Sequence, residues 1–127
     1  MRLEHLALQV PDPVAMADWY VKHLGCTVAR SGGPPSSARF LMAGPVLIEI
    51  YHNPAAPIPD YNSIDPLQLH LAFVSENVKA DRDRLLAAGA KLVDDYSTNT
   101  VGDELLMLRD PWSIGLQLVK RNTPMLR

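Results

Sequence analysis

Four side chains capable of chemistry interrupt otherwise apolar, strand-like runs: His5 in LEHLALQV, Glu49 between Ile48 and Ile50, His70 in LQLHLAFV, and Gln117 between Leu116 and Leu118. Two imidazoles, a carboxylate and an amide oxygen, without a thiolate, form a nitrogen and oxygen donor set. Such a set suits one borderline divalent ion (Ni, Co, Zn, Fe or Mn) with positions left open for water or substrate. Taken singly, each residue has an ordinary explanation. A strand histidine is more often a hydrogen-bonded residue of the partial core than a ligand. A carboxylate in a buried strand costs several kcal/mol unless paired or coordinated, but on an edge strand it simply meets water. A glutamine on a strand face usually does the same.

Their joint placement changes the balance. HLAL at His5 superimposes on HLAF at His70, and IEI around Glu49 on LQL around Gln117, with offsets of 65 and 68 positions. Chance would have to put four polar residues at two equivalent pairs of positions in a repeated unit. Alternation sends His5, Ala7 and Gln9 to one face of a strand while Leu6, Leu8 and Val10 take the other. The polar set therefore belongs on the face turned away from any covering helix, which must be a cavity or a wet surface.

The elements that position these residues recur. After the first strand, Asp12 caps a helix, Pro13 suits its first position, and Ala17, Tyr20, Val21 and Leu24 form an apolar stripe ending at Gly25. Strands are expected near Thr27 to Arg30, Arg39 to Met42 and Val46 to Tyr51, separated by glycine and proline breakers. From His52 to Pro66 a proline-rich stretch reads as an irregular connection. Beyond it the order repeats: a strand, a helix from about Asn77 to Ala88 ending at Gly89, and strands around Lys91 to Asp94, Glu104 to Arg109 and Ile114 to Val119. The second helix is less cleanly amphipathic, because Arg82 falls in the stripe of Val78, Leu85 and Leu86. The expected fold is α+β: two βαβββ modules, 1–52 and 67–121, forming one domain over residues 1–127, with sheets curled around a central cleft.

Composition narrows the class. A chain of 127 residues, 47% hydrophobic and 20% charged, is expected to fold as one soluble domain, and no apolar run nears the roughly 20 residues of a spanning helix. Twelve basic against 14 acidic residues, with no basic cluster, make nucleic acid an unsuited partner. Without a leader-like apolar stretch and with Cys26 as the single cysteine, a cytoplasmic setting is expected. Open sheet edges point to a homodimer.

The chain resembles the vicinal oxygen chelate superfamily, which includes glyoxalases, bleomycin-resistance proteins and ring-cleaving dioxygenases. Besides the four positions, the resemblance rests on DWYVKHLG at Asp18 to Gly25, LLAAGAKLV at Leu85 to Val93 and RDPWSIGLQLV, similar to the family's D-P-D-G-x-x-I-E-L. It covers nearly the whole chain. It implies two modules curled around a cavity and a metal held by the positions of His5, Glu49, His70 and Gln117, very often within a homodimer. Two departures stand out. Glyoxalase I-like members commonly carry a glutamate, both ligand and base, where this chain has Gln117, and Trp112-Ser113 replaces Asp-Gly in the last turn. Gln117 also breaks the dioxygenase set of two histidines and a carboxylate unless Glu49 substitutes.

The functional expectation is a metal-dependent, glyoxalase-like lyase or isomerase. Its small substrate would chelate the ion through adjacent oxygens, and Glu49, the available base by default, would shuttle the acidified α-proton. The alternative is a non-catalytic drug- or metabolite-binding protein of the bleomycin-resistance type. Arg39 and Arg109 are candidates for an anionic substrate end against the plainer role of solvated strand residues. Tyr51 shares Glu49's face and lines the cavity or packs there. His23 fits the helix dipole, His52 has the wrong parity beside Glu49, and Cys26 reads as a buried apolar residue.

Overall fold

A computed structural model describes residues 1–126, and the chain divides into two compact units, one ending at residue 59 and the other beginning at residue 60. The first unit runs β1 (Leu6–Gln9), α1 (Pro13–Leu24), β2 (Thr27–Ser31), β3 (Arg39–Ala43) and β4 (Val46–Tyr51). The second runs β5 (His70–Val74), α2 (Val78–Ala87), β6 (Lys91–Thr98), β7 (Glu104–Arg109) and β8 (Gly115–Lys120), preceded by a short 3-10 turn at Tyr61–Ser63. The two βαβββ modules expected from the repeat are both present.

Each unit has one four-stranded sheet of the same order, β1-β4-β3-β2 and β5-β8-β7-β6. The first and last strands of each module pair in parallel at the sheet edge, and the other pairs are antiparallel. A parallel pair needs a crossover connection, and the helix of each module supplies the first part of it. Register repeats too: Ala7 lies opposite Glu49 in one unit, and Ala72 lies opposite Gln117 in the other.

In α1, the Asp12 carboxylate accepts from the Ala15 amide at 3.1 Å, Pro13 fills the first turn, and Gly25 takes φ 70° to end the helix. Its buried stripe is Pro13, Met16, Ala17 and Tyr20, at spacings of three and four, and it packs on β2, β3 and β4. Val21 is exposed and so lies outside that stripe, one residue's rotation from Tyr20. Leu41, Ile48 and Ile50, on the sheet face toward the helix, are buried. In α2 the Asn77 side chain caps the Ala80 amide, and only Val78 and Leu85 are buried, seven residues apart. Arg82 is accommodated in that weak stripe by reaching out to Asp95 on β6 at 2.9 Å and to Asp83 at 2.8 Å. Among the described residues no helix is long and apolar enough to cross a membrane.

Candidate metal and proton-transfer site

In the first unit, the edge strand and its parallel partner bring His5 Nε2 to 3.1 Å from Glu49 Oε2, with the two side chains 31% and 20% exposed. The ring of Phe40, opposite Glu49 on β3, stands nearly perpendicular to that of His5, with centroids 5.5 Å apart. The pair thus stands on the face away from α1, partly screened by an aromatic wall. His5 Nδ1 is shielded from solvent and has no hydrogen bond among the described residues; its nearest acid is Glu4, at 3.9 Å.

In the second unit, His70 opens β5 and its Nδ1 lies 2.6 Å from the Pro66 carbonyl oxygen. A carbonyl only accepts, so Nδ1 carries the hydrogen and Nε2 keeps the lone pair. Orienting a histidine by its other nitrogen in this way is the usual support of a metal ligand. The close passage of the Pro66–His70 segment is possible because position 115 is glycine. A Cβ there would stand 2.7 Å from the Leu69 carbonyl oxygen, 3.0 Å from His70 Cβ and 3.2 Å from Pro66 Cβ. Gln117 is half-buried two residues further along β8, level with Met107 of β7.

The spacing of one donor pair suits a divalent ion. At metal–ligand bonds of about 2.1 Å, two donors at a right angle lie about 3.0 Å apart, and His5 and Glu49 stand at nearly that separation. Among the described residues no group of three or more His, Cys, Asp or Glu side chains is gathered that could hold an ion. The first unit by itself offers one close pair, a histidine with a carboxylate, and the second carries His70 and Gln117 at the equivalent register positions.

The other sequence candidates take different places. Arg39 lies opposite Ile50, on the helix side of its sheet, and its guanidinium donates to the carbonyls of Gly32, Ser37 and Ala38 at 3.0, 3.1 and 3.1 Å. It therefore pins the loop between β2 and β3, and the structure does not bring it to His5 and Glu49. Arg109 pairs with Gly115 and so shares Gln117's face, but it donates to the carbonyls of Tyr61, Ser113 and Ile64, each at 2.9 Å. It borders an open depression of about 420 Å³ within the second unit, together with Ser63, Asp65, Asp94 and Met107. Tyr51 is half-buried and, two residues beyond Glu49, on the same face. His52 meets the Val10 carbonyl at 3.3 Å, and the His23 ring lies 5.1 Å from Trp19. Burial pushes the Cys26 thiol up to about 11, so it is no nucleophile at neutral pH.

Sequence reasoning missed Gln9. It is 7% exposed, donates to the carbonyls of Ala56 and Pro57 at 2.7 and 3.0 Å, and accepts from the Asn53 amide at 2.7 Å. The signal was its alternation with His5 and Ala7, which marks the face but not the loop it would meet there.

Residues 2–118 match the Glyoxalase/Bleomycin resistance protein/Dioxygenase superfamily. The chain belongs to this superfamily. It is 31% identical over 99 residues to the ethylmalonyl-CoA/methylmalonyl-CoA epimerase of Cereibacter sphaeroides, covering 72% of this chain and 74% of that protein. Among solved structures, SMU.1112c is 26% identical with a TM-score of 0.73, over 94% of this chain and 98% of that one. A glyoxalase/bleomycin resistance protein/dioxygenase family enzyme of Burkholderia phytofirmans PsJN is 20% identical with a TM-score of 0.77, over 94% and 98% of the two chains. The last likeness establishes the fold alone.

Proposed function

We propose that this superfamily member is a metal-dependent enzyme that moves a proton on the carbon beside a carbonyl, as an isomerase, epimerase or glyoxalase-type lyase. The observation that carries the proposal is the partly buried Glu49 carboxylate held 3.1 Å from His5 on the face away from the helix. His70, with its lone pair fixed on Nε2, and the match to an epimerase support it. The ligands proposed are His5, Glu49, His70 and Gln117, and a divalent ion (Ni, Co, Zn, Fe or Mn) bound by them would supply Lewis acidity toward adjacent oxygens of a small substrate. Glu49 then has two roles, with one oxygen toward His5 and the other to take and return the α-proton.

Gln117 occupies the register position equivalent to Glu49, and an amide does not exchange a proton at neutral pH. One carboxylate therefore serves the reaction. A single base takes and returns the proton on one side of the carbon, which favours a 1,2-shift or a glyoxalase-type conversion. The epimerase relative favours the second reading, inversion at the α-carbon, in which Glu49 removes the proton from one face and water delivers a proton to the other.

The test is proton exchange in D₂O with metal-loaded protein. The substrates are the hemithioacetal of methylglyoxal and glutathione, and a methylmalonyl thioester. Deuterium entering with the configuration of one-sided return supports the first reading, and inversion the second. In either case Glu49→Gln should lose at least 100-fold in rate. A metal-loaded protein that binds these compounds and exchanges no proton would instead be the small-molecule binding module. The protein is also proposed to work as a homodimer, since β1, β2, β5 and β6 are sheet edges; light scattering showing only monomer at micromolar concentration overturns that.

A further inference from the structure

We propose that Arg30 is the specificity-determining cation of this site, turned onto Glu49's face by a one-residue bulge at Ala29 to receive a carboxylate of the substrate. This rests on the proposed function and names its substrate class: a vicinal-oxygen chelator with a second, distal carboxylate.

The inference comes from register. Thr27 pairs with Met42 and Val28 with Leu41, and the same register continued would set Arg30 opposite Arg39, on the helix side of the sheet. Instead the register shifts between Val28 and Arg30, so that Arg30 pairs with Phe40 and Ser31 with Arg39. Residues directly opposite in an antiparallel pair share a face, and a bulge re-aims every side chain beyond it. Phe40 in turn lies opposite Glu49, and Glu49 beside Ala7. Arg30, Phe40, Glu49 and Ala7 therefore form one row across the sheet, and the His5–Phe40 ring contact shows which face the row is on.

Two strand spacings, about 10 Å, separate the backbone of Arg30 from that of Glu49, a gap that a long arginine side chain largely spans. Arg30 is exposed and has no hydrogen bond or ion pair among the described residues, whereas the guanidinium of Arg39 is taken up by three carbonyls. The second unit repeats the device. Leu92 pairs with Leu108, the register shifts, and Asp94 comes opposite Met107, in a row with Gln117 and Ala72. The bulge is thus common to both halves, while the charge it presents is specific to each: a cation in line with Glu49 and a carboxylate in line with Gln117.

The experiment compares binding of 2-oxoglutarate with that of its 5-methyl ester by calorimetry, using metal-loaded wild type, Arg30→Gln and Arg30→Lys. The two probes share the chelating oxygens and differ only at the distal carboxyl, ionised in one and methylated in the other. The wild type should prefer the diacid by about tenfold or more, as expected for a charge-assisted hydrogen bond. Arg30→Gln should abolish the preference with the ester's affinity and the thermal midpoint unchanged, and Arg30→Lys should keep part of it. A preference that survives in Arg30→Gln, or a wild type with none, overturns the assignment. Deuterium exchange, run separately on the same variants, reports on the proton-transfer reading. A wild type that exchanges protons but shows no Arg30-dependent preference fails this inference and not that one.

Discussion

An imidazole nitrogen and a carboxylate oxygen 3.1 Å apart hold either a shared proton or a shared ion, and the residues around them set the use. Phe40 stands on one side of the pair, and His70's carbonyl partner leaves that histidine's second nitrogen as a donor of an electron pair. The same economy shows in the turn between β7 and β8. The buried Asp110 carboxylate accepts from the amides of Trp112 and Ile114 at 2.9 and 3.0 Å, and Ser113 takes φ 71°. That conformation costs an L-residue about 1–2 kcal/mol, and glycine carries no such cost. Ser113 meets Arg109 and Asp110 through its backbone alone, so both contacts survive the loss of its side chain. Ser113→Gly should therefore stabilise the protein, by about 0.5–1 kcal/mol once glycine's greater freedom in the unfolded chain is subtracted. A lower urea midpoint in the variant would show that the serine side chain contributes something the turn needs.

At the scale of elements, strand alternation was the most legible feature, because a period of two assigns every side chain to a face as soon as one is known. The sheet faces of His5, Glu49, His70 and Gln117 were readable for that reason, and the helix starts at Asp12 and Asn77 from their capping side chains. Arg39 shows where the reading stops. It was a candidate by residue type, yet its own parity puts it opposite Ile50, and its three carbonyl acceptors lie in a loop whose path the sequence does not give. Arg30 shows the converse, since a bulge inverts parity without leaving any mark in the residues themselves. Gly115 was hidden similarly: it read as an ordinary position of the last strand, and its function is to admit the Pro66–His70 backbone. Gly115→Ala forces a Cβ to 2.7 Å from a backbone oxygen, so the chain beside His70 must shift. The expected loss is about 1–3 kcal/mol in stability together with about 10–100-fold in divalent-metal affinity, through the displaced histidine. Chemical denaturation and metal titration of the variant measure both, and wild-type values in the two would mean that β5 yields freely at this point.

At the scale of the whole molecule, what must be kept closed is the far end of the chain as well as the site. After β8, Arg121 Nη1 donates to Asp103 at 2.9 Å, and the Asn122 amide donates to the same carboxylate at 2.9 Å. The C-terminal segment is thus tied to the turn between β6 and β7. The backbone amide of Asn122, then the guanidinium of Arg121 and the Asn99 side chain, hold the Asp103 carboxyl below the usual carboxylate range. A carboxyl whose pKa is lower folded than unfolded contributes stability that is complete above its unfolded value. That stability drains away as the pH falls through its folded one. The clasp therefore acts in full at neutral pH and loosens only below about pH 4. Asp103→Asn removes the charge at every pH while keeping the side chain's size. The variant should unfold at lower urea than wild type at pH 7, and the gap between the two should narrow as the pH approaches 3. If the two midpoints instead fall in parallel on acidification, the carboxylate of Asp103 is not what the C-terminal segment depends on, and the acid sensitivity of the fold must come from another group, of which the Arg82-paired Asp95 is the next candidate.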